Sequence, residues 1–166
     1  DRVYAVGDLI ATPQLAHVGF AEAMLVVSDI VGEQRPPINY SRVPWAIYCH
    51  PEIAYAGLTE QEAEEAGYEV AVAQHRFVGN ARALIHNETE GMVKLVAERR
   101  SDGSAGKLLG VHLIGSWATE QLGQGYLAVN WSVDIDEIAD FIQPHPTLSE
   151  LFGEAVLELA GRTLHG

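Results

Sequence analysis

The chain is poor in cysteine: Cys49 is the only one among its 166 residues. One cysteine cannot form an internal disulfide, so a disulfide-stapled fold is excluded, and a reducing compartment is compatible with the sequence. A free cysteine behaves as a small apolar residue in most proteins. We therefore interpret Cys49 as a core residue and not as a nucleophile.

Basic residues are also scarce. Lysine and arginine number 10 against 23 acidic residues, which gives a formal net charge of −13. Nucleic acids and anionic membranes both require basic surface, so we expect neither as a partner. Apolar runs stay well below the roughly 20 residues of a membrane span, and the N-terminus lacks the basic-then-apolar order of a signal peptide. The prediction is a soluble, cytoplasmic protein.

Two kinds of functional motif are missing. The seven histidines include no pair at the spacing H-x-x-x-H, and the adjacent Cys49 and His50 would point in different directions on a strand. The sequence therefore predicts no metal site. The motif G-x-S-x-G is absent too, which argues against a serine hydrolase. We interpret Ser149 as a first-turn residue of a helix, although it lies close to His145.

What the chain does contain is a composition, 48% hydrophobic and 20% charged, that predicts a folded globular protein. Val3–Val6 is an apolar run that predicts a buried strand, ended by a turn at Gly7 and Asp8. Helical periodicity follows from about 14 to 31, and Gly32 is placed to end that helix. This order is typical of part of an α/β nucleotide-binding domain, where a carboxylate can accept hydrogen bonds from ribose-like hydroxyls. A plain turn at Gly7-Asp8 is the alternative.

A polar, proline-bearing linker at 34–40 follows, and we place a domain boundary near residue 40. The predicted parts are therefore 1–40 and 41–166. In the second part strand patterns cluster first and helical patterns follow, which indicates an α+β domain with an antiparallel β-sheet flanked by helices. Strands are predicted at 43–48, 53–58, 68–77, 92–97 and 107–114, helices at 59–67, 118–129 and 134–140, and a loop or helical turn at 80–87.

The stretch 143–150, Gln-Pro-His-Pro-Thr-Leu-Ser-Glu, organises the second part. His145 lies between two prolines, each of which fixes a φ angle, so the imidazole can be held in place at low entropic cost. Thr147 and Glu150 have the spacing of a capping box, in which the hydroxyl accepts from the N–H of Glu150 and the carboxylate from the N–H of Thr147. An apolar helix face should follow. Its residues are Leu148, Leu151, Phe152, Ala155, Val156 and Leu159.

Proton transfer is the chemistry that this stretch favours. An imidazole is suited to exchanging protons with a thiol near neutral pH. Glu150 can orient one nitrogen of the His145 ring and stabilise its charged form, or it can cap the helix, and the sequence leaves both roles open. An ordinary surface histidine in a loop before a helix is the alternative for His145.

Together these residues resemble the C-terminal part of the flavin-dependent pyridine nucleotide-disulfide oxidoreductases. The similarity covers nearly the whole chain and depends on the order and spacing of short motifs. These motifs lie at Val3–Asp8, Leu15–His17, Val43–Ala54, Ala81–Leu84, Glu88–Gly91, Gly110–Gly115 and His145–Glu150. The resemblance implies that 41–166 form the dimerisation domain of that family, and that 1–40 are a strand-helix remnant of its FAD-binding domain.

The resemblance also implies two cofactors, FAD and NAD. Beside Gly7, Asp8 matches the aspartate that hydrogen-bonds the ribityl chain of FAD. Leu15, Ala16 and His17 match the helix start whose backbone lies near the flavin ring, where the positive helix end can stabilise charge on a reduced flavin.

The resemblance further implies the chemistry and the partners. His145 matches the catalytic acid/base and Glu150 its carboxylate partner, and in this family the histidine serves the flavin and redox disulfide of the other subunit of a homodimer. The implied substrate is a dihydrolipoyl dithiol, whose electrons pass through a disulfide and FAD to NAD, within a 2-oxo acid dehydrogenase complex in some members. A thiolate is the competent nucleophile, so a base is needed.

The chain departs from the complete family pattern. The paired redox cysteines and the glycine-rich FAD and NAD fingerprints are absent, and the chain enters a strand pattern at Asp1 without an initiator methionine, so we expect a fragment of a longer protein. Gln143 stands where dihydrolipoyl-oxidising members often carry a second histidine. The alternatives are therefore a glutathione-type disulfide reductase, an NAD(P) transhydrogenase, or a dimerisation module without chemistry of its own.

Overall fold

The computed structural model describes residues 3–165. They divide into two compact units, of which the first ends at Val43 and the second begins at Pro44. The first unit is built on one long helix, α1 (Ala16–Val31), which confirms the helix predicted there. Gly32 ends it in the left-handed conformation at φ 79°, a backbone geometry that glycine adopts without a Cβ penalty.

The strand predicted at Val3–Val6 is wrong for the described chain. These residues have no regular secondary structure, and Val3 is 90% exposed. A short 3₁₀ turn, Gly7–Leu9, follows them. A strand needs a neighbour to satisfy its backbone hydrogen bonds, and no strand among the described residues pairs with this run. An apolar pattern alone cannot supply that neighbour.

The second unit contains a five-stranded antiparallel sheet with flanking helices, which confirms the predicted fold class. The strands are β1 (Trp45–Ile47), β2 (Glu52–Gly57), β3 (Val70–Arg76), β4 (Gly91–Arg99) and β5 (Ala105–Gly115). Their order across the sheet is β1-β2-β5-β4-β3. Strands β4 and β5 form a hairpin around the predicted Asp-Gly turn, and the register shifts near Ala97.

Five α-helices belong to the described part of the second unit, and each lies where a helix or helical turn is predicted. They are α2 (Glu60–Glu65), α3 (Ala81–His86), α4 (Ala118–Trp131), α5 (Ile135–Ala139) and α6 (Glu150–Leu159). The capping box predicted at the start of α2 is formed by Thr59 and Glu62. Sequence patterns at helix starts therefore located this element to within a residue or two.

The core of the second unit lies between the sheet and two helices. Helix α4 packs on β2 and β5, whereas α6 packs on β3 and β4. Gly125 of α4 makes a close approach possible, since a Cβ there would lie 2.7 Å from a methyl carbon of Val111. Fully buried Phe77, Leu95 and Val156 belong to this core, and each such side chain contributes about 1.5–3 kcal/mol by burial.

The interpretation of Cys49 as a core residue is wrong, because Cys49 is exposed. Strand β1 ends at Ile47, so Cys49 lies in the bend that leads to Pro51, and its Sγ is 3.1 Å from the carbonyl oxygen of Pro51. The predicted strand extended one residue too far, to Tyr48. No helix among the described residues combines the length and apolarity that a membrane crossing requires.

Candidate functional site

His145 and Glu150 form a hydrogen-bonded pair at the start of α6. Nδ1 of His145 lies 2.8 Å from Oε1 of Glu150. The imidazole side chain is 61% exposed, whereas that of the glutamate is only 10% exposed. A carboxylate accepts, so Nδ1 carries the proton of this bond and Nε2 is the ring nitrogen that can exchange a proton with a substrate. A mostly exposed imidazole is thus oriented by a nearly buried carboxylate.

Glu150 hydrogen-bonds both His145 and the backbone of the loop before α6. Oε1 binds His145, while Oε2 accepts from the backbone N–H of Thr147 at 2.7 Å. The other half of the predicted capping box is not formed, because the hydroxyl of Thr147 donates to the carbonyl of Pro144 at 2.7 Å. Ser149 is the residue before the first turn of α6, in a right-handed conformation. The threonine hydroxyl therefore closes the His145 loop and does not cap the helix.

The loop that carries His145 packs closely on α6. At Gly153 a Cβ would lie 2.5 Å from Cγ of Gln143. Only a residue without a side chain leaves room for Gln143 at that point of the helix. The His145–Pro146 peptide bond is cis. From α4, the amide of Gln124 donates to the carbonyl of Ser149 at 3.1 Å.

A cleft of about 230 Å³ opens beside the pair, and two further histidines line it. The ring of His165 stacks on that of His145 with centroids 6.1 Å apart, and its Nδ1 lies 2.7 Å from Oε1 of Glu154. On β3, His75 places Nε2 2.9 Å from Oε2 of Glu158. The lining residues are His75, Arg76, Gly79, Asn80, Ala81, His145, Glu150, Leu151, Glu154 and His165.

Sequence reasoning missed the two additional histidine–carboxylate pairs. Their signal is the spacing of Glu150, Glu154 and Glu158, which puts three carboxylates on one face of α6 at intervals of four residues. The spacing alone does not show which histidines meet them, since His75 lies 83 residues from Glu158.

In the first unit, the predicted cofactor residues lie in the Gly7–Leu9 turn and at the start of α1. Gly7 has φ +71°, and a Cβ built on it would meet nothing within 4 Å. Asp8 is exposed. Leu15 is the extended residue before α1. Its side chain has no atom that could cap the helix. Ala16 and His17 supply the first N–H groups of α1, where the positive end of the helix dipole lies.

Glu22 holds the Gly7 turn against α1 and was also missed. The Glu22 side chain is 4% exposed, and its Oε2 accepts from the backbone N–H of Gly7 at 2.5 Å. Oε1 accepts from the hydroxyl of Tyr40 at 3.0 Å. These hydrogen bonds, that from Gly7 above all, lower the pKa of Glu22. A single glutamate in the middle of a mostly apolar helix was the signal available in the sequence.

The geometry of the described side chains bears on metal binding as well. Between residues 3 and 165, no group of three or more His, Cys, Asp or Glu side chains is arranged to hold a metal ion. Each histidine of the cleft is instead bonded to a carboxylate.

Comparisons with known proteins give a consistent result. Residues 43–156 match the family described as the pyridine nucleotide-disulphide oxidoreductase dimerisation domain. Dihydrolipoyl dehydrogenase of Bacillus subtilis (strain 168) is 39% identical over 164 residues, which are 99% of this chain and 34% of that protein. The mitochondrial dihydrolipoyl dehydrogenase of Homo sapiens is 37% identical over 156 residues, 94% of this chain and 30% of that protein. The chain therefore spans about a third of the length of these relatives.

Solved structures with the same fold include two bacterial proteins. LpdA from Mycobacterium tuberculosis superposes with a TM-score of 0.86 at 25% identity, over 96% of this chain and 36% of that one. The HOCl-induced flavoprotein disulfide reductase RclA from Escherichia coli superposes with a TM-score of 0.82 at 21% identity, over 92% and 34% of the two chains. At that identity the second likeness shows the fold alone.

Proposed function

The chain belongs to the pyridine nucleotide-disulphide oxidoreductases through their dimerisation domain, and we propose that it is the C-terminal part of a dihydrolipoyl dehydrogenase-type enzyme that supplies its proton-transferring histidine. The observation that carries this proposal is the pairing of exposed His145 with nearly buried Glu150. A homodimer is part of the proposal, since the similarity falls on a dimerisation domain.

In the proposed reaction, a dihydrolipoyl thiol gives its proton to Nε2 of His145 as its sulfur attacks a redox disulfide. The S–H bond breaks, the new S–S bond forms, and the departing sulfur of the disulfide takes the electron pair. Glu150 stabilises the resulting imidazolium through the Nδ1 bond of 2.8 Å. The disulfide comes from the part of the protein outside this chain, and in the proposed dimer it belongs to the partner subunit.

FAD fits the residues of the first unit. Exposed Asp8 presents a carboxylate to hydroxyl groups, and Glu22 fixes the Gly7 turn beside it. The helix start at Leu15, Ala16 and His17 offers a positive dipole end to negative charge. When bound, FAD would supply two-electron redox chemistry between the thiol pair and NAD. Gly7, Asp8 and Leu15–His17 are the residues that we propose would hold it.

Substrate and assembly are proposed from the curated relatives. Proteins named dihydrolipoyl dehydrogenase match 94–99% of this chain, which favours a dihydrolipoyl dithiol as substrate and a 2-oxo acid dehydrogenase complex as partner. Gln143, where such enzymes often have a second histidine, favours a sibling disulfide reductase or transhydrogenase as the second candidate. A cytoplasmic location stays a prediction.

The test of the proposal is His145→Gln in the complete oxidoreductase. Loss of the base should reduce turnover with the dithiol by at least about a hundredfold, because positioned acid/base groups contribute on the order of 10²–10⁴ in rate. Bound FAD, measured by its absorbance, and dimer mass, measured by light scattering, should be unchanged. Near-normal turnover would remove His145 from the mechanism.

A further inference from the structure

Asn80 joins two separate elements of the second unit by a single side chain. It is 6% exposed and lies immediately before α3. Its Oδ1 accepts from the backbone N–H of Ala83 at 3.0 Å, as an N-cap residue does. Its Nδ2 donates to the carbonyl of Thr147 at 2.9 Å, across 67 residues of sequence. The capping role is local, whereas the second bond reaches the His145 loop.

The bond to Thr147 leads directly to the acid/base pair. The N–H of Thr147 donates to Oε2 of Glu150, and Oε1 of the same carboxylate binds Nδ1 of His145. Asn80 also lines the cleft into which His145 faces. Both polar atoms of the buried Asn80 amide are thus hydrogen-bonded, and leaving either atom without a partner would cost free energy.

We propose that Asn80 is a positioning residue for His145, which it holds in register with Glu150 through the carbonyl of Thr147. The inference rests on the proposed function of His145 as the proton-transferring group. Productive proton transfer requires placement within a few tenths of an ångström, and a displacement of about 1 Å can cost a hundredfold in rate. Two side chains restrain the loop, since Asn80 bonds the Thr147 carbonyl and Gln124 bonds the Ser149 carbonyl.

Two substitutions keep the cap of α3 but remove the hydrogen bond to the Thr147 carbonyl. Asn80→Asp keeps the shape of the side chain and an oxygen for Ala83, but it has no N–H for Thr147. Asn80→Ser also keeps a capping oxygen, adds no charge, and is too short to span the contact. In both variants hydrogen exchange at the Thr147 amide, followed by NMR, should accelerate at least about tenfold. In the complete enzyme kcat should fall by about ten- to a hundredfold with KM changed less than about threefold.

The control is Thr59→Ala, which removes the side-chain cap of α2, a helix that contributes no residue to the cleft beside His145. It should lower stability by a similar amount and leave kcat and Thr147 exchange unchanged. Equal losses of kcat in Thr59→Ala and the Asn80 variants would overturn the inference, because general destabilisation would then explain both. Normal kcat in Asn80→Ser despite rapid Thr147 exchange would overturn it too, while the proposed role of His145 would stand. Failure of that role shows separately, as normal turnover in His145→Gln.

Discussion

The His145 ring and the Glu150 carboxylate lie 2.8 Å apart but in opposite environments, with 61% of the imidazole side chain exposed and 10% of the glutamate side chain. The difference suits a pair in which one member meets substrate and the other does not move. The buried glutamate is also held in one orientation by a hydrogen bond, because its second oxygen accepts from the backbone N–H of Thr147.

Glu150→Gln should reduce turnover by about tenfold or more in the complete enzyme. The amide keeps the size of the side chain but lacks the charge that stabilises an imidazolium. Steady-state kinetics with a dithiol substrate measures the effect. Glu158→Gln is the matched control, since Glu158 lies on the same helix face and pairs with His75 instead. It should keep at least about half of the activity, and equal losses in the two variants would contradict a specific role for Glu150.

Gly153→Ala should destabilise the second unit by about 1–3 kcal/mol, because its Cβ would lie 2.5 Å from Cγ of Gln143. Urea denaturation of the chain measures the change. Gly123→Ala, on α4, is the control: a Cβ there meets nothing within 4 Å, so it should stabilise by about 0.5–1 kcal/mol.

The same contact can be tested by a double-mutant cycle. Gln143→Ala combined with Gly153→Ala should recover most of the loss, because shortening Gln143 removes the clash. Strictly additive effects of the two substitutions would show that Gly153 and Gln143 do not compete for space.

Glu22→Gln should reduce the loss of folding stability that the first unit shows as the pH is lowered. Hydrogen bonds, first of all that from the Gly7 N–H, lower the pKa of Glu22, so the unfolded chain binds more protons between the folded and unfolded pKa values. The stabilisation is complete above the unfolded value, about 4.3, and is lost as pH falls through the folded one. Thermal unfolding monitored between pH 6 and 3 should show a smaller loss in the variant. If the unfolding temperature fell with pH equally in the variant and the wild type, Glu22 would not be the cause of the loss.

His112→Gln should make stability less sensitive to mild acid. Burial lowers the pKa of His112, with a smaller contribution from the charge of Lys94, while its Nε2 bonds the Leu58 carbonyl at 3.0 Å. The contribution of neutral His112 is complete above the unfolded pKa of about 6.5 and is lost as pH falls through the lower folded value. Urea midpoints at pH 7.5 and 5.5 should differ more in the wild type than in the variant. Equal differences would assign the pH dependence to other groups.

Local patterns predicted most of the second unit because their causes are local. The box at Thr59 and Glu62 and the Asp-Gly hairpin turn depend on residues three or four apart. His145 and Glu150 are five residues apart, so their pairing could also be predicted from the sequence. The same reasoning failed where a neighbouring element decides the structure. Val3–Val6 has no partner strand within residues 3–165, and Cys49 lies beyond the end of β1.

The sequence by itself determined the order of strands and helices in the second unit, its antiparallel α+β class and the five-residue spacing of His145 and Glu150, because periodicity and capping act over a few residues. Only the tertiary structure decided that Glu150 divides its oxygens between His145 and Thr147, that Asn80 holds the same loop, and that His75 and His165 reach α6. Those contacts join residues brought together by packing, and a linear pattern carries no record of which distant side chains the folded core will place side by side.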